Sequence, residues 1–243
     1  MTQDHAWRPV AAQAHRADVD LWWIPVHGPE PRREARAVAA AILQAATGVY
    51  PLDPRTGEPA WATGEHGKPG PVAGRHWNLS HGRGWALVAL AGHPVGVDLV
   101  HVESLVRPER VAARYFAPAE AARIADAAEP RPLVATALAR KEALAKARGS
   151  RLLDLLGTDV TADFNDEAPG PVRIADLAAP PGHAAAAASE HLHLRQHVWR
   201  STCDTQRPNA PLSAGSPPAP SRPRRRGHCA ASTTSASRSP ATR

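Results

Sequence analysis

The chain has 243 residues, of which 43% are hydrophobic and 21% charged, enough apolar material for one domain or two small ones. Its net charge of +6 is unevenly spread: residues 191–243 hold nine arginines against one acid, Asp204, whereas residues 1–190 hold 20 basic and 22 acidic side chains. A nearly neutral body argues against a nucleic-acid-binding fold, and a body without cysteine (Cys203 and Cys229 both lie in the basic end) excludes a disulfide scaffold or thiolate zinc site there.

In chain order, Val19–Val26, VDLWWIPV, is rich in β-formers and predicts a first strand. Pro31–Gly48 starts on Pro, ends on Gly and is filled with Ala, Ile and Leu, the punctuation of a helix. A Gly- and Pro-broken loop follows over Tyr50–Pro71. The run WNLSHGRGWALVALAGHPVGVDLVHV, residues 77–102, reads as two strands joined by a turn at Gly92-His93-Pro94. Helices are predicted over 108–125 and 130–148, the second closed by Gly149, and a weak strand pair over Val172–Leu177 and His183–Ser189. From residue 191 onward Pro, Ser, Ala and Arg take over without periodicity, so 191–243 is expected to be a basic, disordered tail. No apolar run approaches the roughly 20 residues that span a bilayer. The first residues carry early acids and no apolar block, so the expected compartment is the cytoplasm.

Arginine outnumbers lysine 26 to three. Such a bias reads as pressure towards GC-rich codons, under which lysine persists where the wide, planar guanidinium will not serve. Lys68, Lys141 and Lys146 are therefore candidate site residues. Asp98 lies in the apolar strand PVGVDLV, with Gly96, Asp98 and Val100 on one face and Val95, Val97 and Leu99 on the other. A buried acid there is either paired with an arginine or bound to a metal, and Gly96 beside it is expected to leave open space for a ligand. Glu142 and Lys146 in RKEALAK share a helix face. They form either a surface pair or a site in which the carboxylate holds an ion and the ammonium meets phosphate oxygens. Ser80 and His81 in NLSHGRG point to opposite sides of an extended segment, which disfavours a Ser–His nucleophile. They are read as phosphate contacts or as a plain turn. Lys68 sits in a Gly-Lys-Pro loop that lacks the spacing of a P-loop.

The order GKP, WNLSHG, VGVDLV, RYF…E and RKEALAKARG over residues 20–190 resembles the surfactin-type 4'-phosphopantetheinyl transferases. The resemblance implies an α+β fold built as a pseudo-twofold pair of similar subdomains, here 1–95 and 96–190. It implies transfer of phosphopantetheine from coenzyme A to a serine of an apo carrier protein of a polyketide, peptide or fatty-acid synthase, with release of 3',5'-ADP. Asp98 and Glu142 would ligate Mg²⁺, and Glu142 would also help to deprotonate the acceptor serine. Lys146 would contact the phosphate beside the breaking bond. Lys141, His81, Ser80 and Lys68 would hold coenzyme A, with Arg33 or Arg36 adding a phosphate contact. A monomer without membrane or nucleic-acid partners is expected. Three positions depart from the family pattern: Val100 replaces a frequent acid, Leu138 an aromatic residue, and Ala40 an arginine. Competing readings are nucleic-acid binding by the arginine-rich end, a metal site at His191, His193, His197 and Cys203, and a transferase that has lost activity.

Overall fold

The alternation Val19, Leu21, Trp23 buries one side of β1 (Val19–Pro25) completely, and the chain then turns into α1 (Pro31–Thr47). The structure, a computed structural model, describes residues 18–51, 53, 56, 59–161 and 171–199. Pro31 opens α1, and Gly48 closes it in the left-handed conformation, where a side chain would be strained. Three strands follow, β2 (His76–Gly82), β3 (Trp85–Ala91) and β4 (Val95–His101). The sequence predicts only two here. The unforeseen hairpin turns at Arg83-Gly84, with Gly84 at φ +76°, and the predicted turn at Gly92–Pro94 carries the chain from one sheet to another.

The single helix predicted over 108–125 is two, α2 (Pro108–Tyr115) and α3 (Pro118–Ala125). Pro118 supplies no amide for a continuing helix, so it ends one and begins the next. Then come α4 (Pro130–Arg148), β5 (Arg173–Asp176), β6 (His183–Ser189) and β7 (Leu194–Val198). β7 corrects the expected start of the tail: residues 194–198 pair in parallel with β1, from Val19 opposite Leu194 to Trp23 opposite Val198. Its alternate residues are only half-buried, as suits an edge strand, which is why its composition resembles the polar end of the chain. Residues 200–243, including Cys203 and Cys229, lie outside the described residues.

The strands make two sheets, ordered β2-β3-β1-β7 and β4-β6-β5. Their facing sides share one core, with Leu21, Trp23, Leu87 and Ala89 from the first sheet and Val95, Val97, Leu99 and Ala187 from the second. α1 covers the outer face of the first sheet through Ala35, Ala39, Ile42 and Leu43 against Trp77, Val88 and Leu90. α4 covers the outer face of the second through Ala139, Ala143 and Ala147 against Ala186 and Ala188. The result is a mixed α+β body of two helix-backed sheets. Among the described residues no helix is long and apolar enough to cross a membrane.

Alanine against alanine lets helix and sheet backbones come close, and Gly96 takes this furthest. A Cβ there would stand 2.0 Å from the Ala143 carbonyl oxygen and 2.4 Å from the Ala147 amide nitrogen. The open space expected beside Gly96 is therefore filled by α4 backbone. The glycine positions the helix, and thereby the side chains that α4 carries over β4.

Candidate active site

Asp98 is buried on the α4 side of β4, and three groups fix it there. Ser80 Oγ donates to Asp98 Oδ1 at 2.7 Å, and Lys146 Nζ donates to the same oxygen at 2.7 Å. Lys146 also reaches the Val97 carbonyl at 3.2 Å and stands 3.9 Å from Glu142 Oε1. β4 is an edge strand whose outward amides need acceptors. β2 provides them through side chains: the Val97 amide donates to Asn78 Oδ1 at 3.0 Å, and the Leu99 amide to Ser80 Oγ at 3.2 Å. Asn78 and Ser80 thus clamp the edge of one sheet to the other and hold Asp98 under α4. Asn78 was not singled out from the sequence, although its two-residue offset from Ser80 on β2 carried the signal.

Glu142 and Lys146 open onto a cleft of 430 Å³, the size of a small-molecule site. Asn78, Trp77, Leu79, Trp61 and Arg36 also line it, as do Lys68, Ser150 and Arg151. Four basic side chains (Arg36, Lys68, Lys146 and Arg151) face it against one carboxylate, that of Glu142, so an anionic ligand is favoured. Trp61 meets Trp77 edge-on with centroids 4.4 Å apart, and the Arg36 guanidinium lies 4.2 Å over the Trp61 ring while donating to the Pro59 carbonyl. Lys68 donates to the Ala147 carbonyl at the end of α4, and burial lowers its pKa from the ordinary lysine value. Ser150 Oγ is buried at the wall without a hydrogen-bond partner among the described residues, a donor of the kind a phosphate oxygen would accept.

Burial raises the Glu142 pKa above the usual carboxylate value; the Lys146 charge pulls against this, and the Asp98 charge adds to it. Two carboxylates share a single ammonium here, an arrangement with room in its charge balance for a further cation.

The structure places the other predicted site residues unevenly. Arg36 and Lys68 are on the cleft wall. Asp98 lies behind Lys146, and Ser80 behind Asp98, so Ser80 positions the carboxylate and does not face the cleft. His81 is exposed on β2 and is not among the residues lining the cleft. Lys141 is a clear correction. It is fully buried, 2.7 Å from Glu120, donating to the Thr158 carbonyl and 4.7 Å from the Phe116 ring. Burial lowers its pKa, with Glu120 opposing the shift. It is one half of an internal ion pair between α4 and α3 and does not line the cleft.

Among the described residues, His191, His193 and His197 are not brought together as a metal-binding group. His193 pairs with Asp18, while His197 contacts Asp20 at 3.2 Å and stacks on Trp22. Cys203 lies outside the described residues.

No curated protein matches the chain. Residues 94–202 match the model of the 4'-phosphopantetheinyl transferase superfamily, a stretch that runs from β4 to β7 and contains Asp98, Glu142 and Lys146, and the match supports a transferase of the 4'-phosphopantetheinyl type.

Proposed function

We propose that the chain transfers the phosphopantetheine arm of coenzyme A to a serine of an apo carrier protein of a polyketide, peptide or fatty-acid synthase, in the manner of the surfactin-type enzymes. The observation that carries this reading is the meeting of Lys146 and Glu142, on the wall of a basic cleft, with Asp98 behind them, inside the stretch that matches the superfamily.

Coenzyme A presents a pyrophosphate and a 3'-phosphate, and the cleft offers Lys68, Arg36, Arg151 and the Ser150 hydroxyl to such groups. The two tryptophans supply an apolar wall for its less polar parts. The residues also fit Mg²⁺, a hard ion that takes carboxylate and phosphate oxygens. Asp98 and Glu142 would hold it, and when bound it would neutralise pyrophosphate charge. Val100 leaves these two as the protein's carboxylates in β4 and α4 facing this point.

The acceptor serine oxygen attacks the phosphorus next to the pantetheine, a new P–O bond forms, and the bond to the departing 3',5'-ADP breaks. Glu142, whose pKa burial has raised, accepts the serine proton more readily than an exposed carboxylate. Lys146, which donates to Asp98 and to the Val97 carbonyl, would then share its donors with a phosphate oxygen, a role suited to a compact ammonium. Asn78 and Ser80 keep Asp98 in place throughout. The two helix-backed sheets agree with a pseudo-twofold pair of subdomains, divided near Val95, with β7 returning to the first.

Incubation of apo carrier proteins with the chain, coenzyme A and Mg²⁺ should add the mass of one phosphopantetheine per carrier. Asp98→Asn and Glu142→Gln should each reduce the rate by at least about a hundredfold, with the native circular dichroism retained. No mass gain across carriers of all three kinds would sink the proposal, and would favour a chain that keeps the fold without the activity.

A further inference from the structure

Two segments carry the chain between the sheets, Gly92–Pro94 from β3 to β4 and Glu190–His193 from β6 to β7. The register brings them together: Val95 is opposite Ser189 across the β4–β6 pair, and Ser189 Oγ donates to the Pro94 carbonyl at 3.0 Å. His93 precedes one side of this contact, and Glu190 and His191 follow the other. One ligand atom from each of His93, Glu190 and His191 lies within 4.8 Å of the other two. The two imidazoles meet edge to face, with centroids 4.7 Å apart at 66°, and are not stacked flat.

We infer that His93, Glu190 and His191 form a binding site for a zinc-class divalent ion that ties the two crossovers together. Zinc is held by imidazole nitrogens at roughly 2.0–2.1 Å and carboxylate oxygens at roughly 2.0–2.2 Å. Ligand atoms around one ion are therefore separated by about 3–4 Å, and those here already lie within 4.8 Å of one another. The donor chemistry selects against Mg²⁺ and Ca²⁺, which take oxygen ligands, and favours Zn²⁺ and its neighbours in the first transition row. Three protein ligands leave a fourth position for water. The contact is local in the sheets but distant in sequence, so an ion would add to the Ser189 hydroxyl and the strand ladder in fixing the crossovers.

The site is separate from the one beneath α4. Asp98 lies three residues along β4 from Val95, about 10 Å of strand, and belongs to the face under the helix. Burial and the charges of Lys68 and His93 lower the pKa of His76, and His193, paired with Asp18, lies on the second crossover itself.

The test uses the full chain with Zn²⁺ alone, and with Co²⁺ as a spectroscopic stand-in. Isothermal titration should give one site per chain, and His93→Asn, Glu190→Gln and His191→Asn should each weaken it at least about tenfold, the scale on which even outer partners of a metal matter. His193→Asn should leave it unchanged. Zinc should raise the melting temperature of the parent chain and not of the His191→Asn variant. Transfer in Mg²⁺ should be unaltered by His191→Asn, which separates this site from the proposed reaction. His191 is exposed, so its variant decides the question if His93→Asn fails to fold. Parent-like zinc affinity in His191→Asn overturns the inference, as does a thiolate-to-cobalt charge-transfer band, which would give the ion to Cys203 or Cys229. Loss of binding in His193→Asn alone also overturns it.

Discussion

The two sides of α4 treat an ammonium group in opposite ways. Lys141 and Lys146 are five residues apart, so they point about 140° away from each other around the helix. Lys141 is sealed against Glu120, Thr158 and Phe116, with no exposed surface. Lys146 sits partly exposed at the cleft, holding Asp98 at 2.7 Å and leaving Glu142 at 3.9 Å. Scarcity of lysine marked both positions, and the structure gives two different reasons why arginine would not serve. Lys141 is packed with no exposed surface, which leaves little room for a wider guanidinium; Lys146 stands between two carboxylates, where a compact ammonium fits better than a planar fork. A rare residue type therefore flags constraint without naming its kind.

The largest effect expected from breaking this comparison is on the closed side. Lys141→Ala leaves Glu120 buried and uncompensated, and should cost about 3–5 kcal/mol of stability by urea unfolding. Lys146→Ala should cost less, about 1–3 kcal/mol, because Asp98 keeps its Ser80 hydrogen bond and the vacated position borders solvent. For transfer the ranking reverses: Lys146→Arg should lose most of kcat with the fold intact. Equal stability losses at the two positions would erase the distinction between a structural and a cleft-facing ammonium.

Gly96 sharpens the comparison from below. Its missing Cβ admits the α4 backbone at Ala143 and Ala147, on the side that carries Glu142 and Lys146 over Asp98. Gly96→Ala forces the helix away, at about 1–3 kcal/mol by the usual scale for an overpacked core. The displacement falls on the cleft side first, so activity should drop further than the loss of folded protein explains. If Gly96→Ala keeps both stability and turnover, the helix is not held at the separation that assembles the site.

How much of this was open to reading before the fold was known depends on the range of the interaction. Strand alternation put Asp98 on one face of β4, and four-residue spacing put Glu142 and Lys146 on one face of α4, because both are local periodicities. The residues that bind these faces to the rest were not open in that way. A glycine in a strand announces close approach or open space, and only the packing of α4 decides which. Lys141 has its partner in α3, Asn78 has its partner in the other sheet, and β7 finds β1 across about 175 residues. The polarity of β7 made it look like tail, since an edge strand with half-exposed sides carries no apolar alternation for a reader to find.

The smallest expected effect lies in that late strand, far from either side of α4. Asp20 in β1 accepts from Arg195 Nε at 2.6 Å and lies 3.2 Å from His197 Nε2, both on β7. Burial alone would raise the Asp20 pKa, but the hydrogen bonds and charges of Arg195 and His197 outweigh it and hold the pKa below the ordinary aspartate value. A carboxyl whose folded pKa is depressed adds stability that is present above its unfolded pKa of about 3.9 and fades as the pH falls through the lower folded value. Asp20→Asn should therefore cost about 1 kcal/mol near neutrality, the scale of a net hydrogen bond, and the gap between the parent and variant chains should close as the pH drops below about 4. Turnover at neutral pH should be unchanged, since neither α4 nor the cleft is touched. A gap that stays constant down to the acid limb would mean that β7 is held by its backbone ladder to β1 and not by the charge of Asp20.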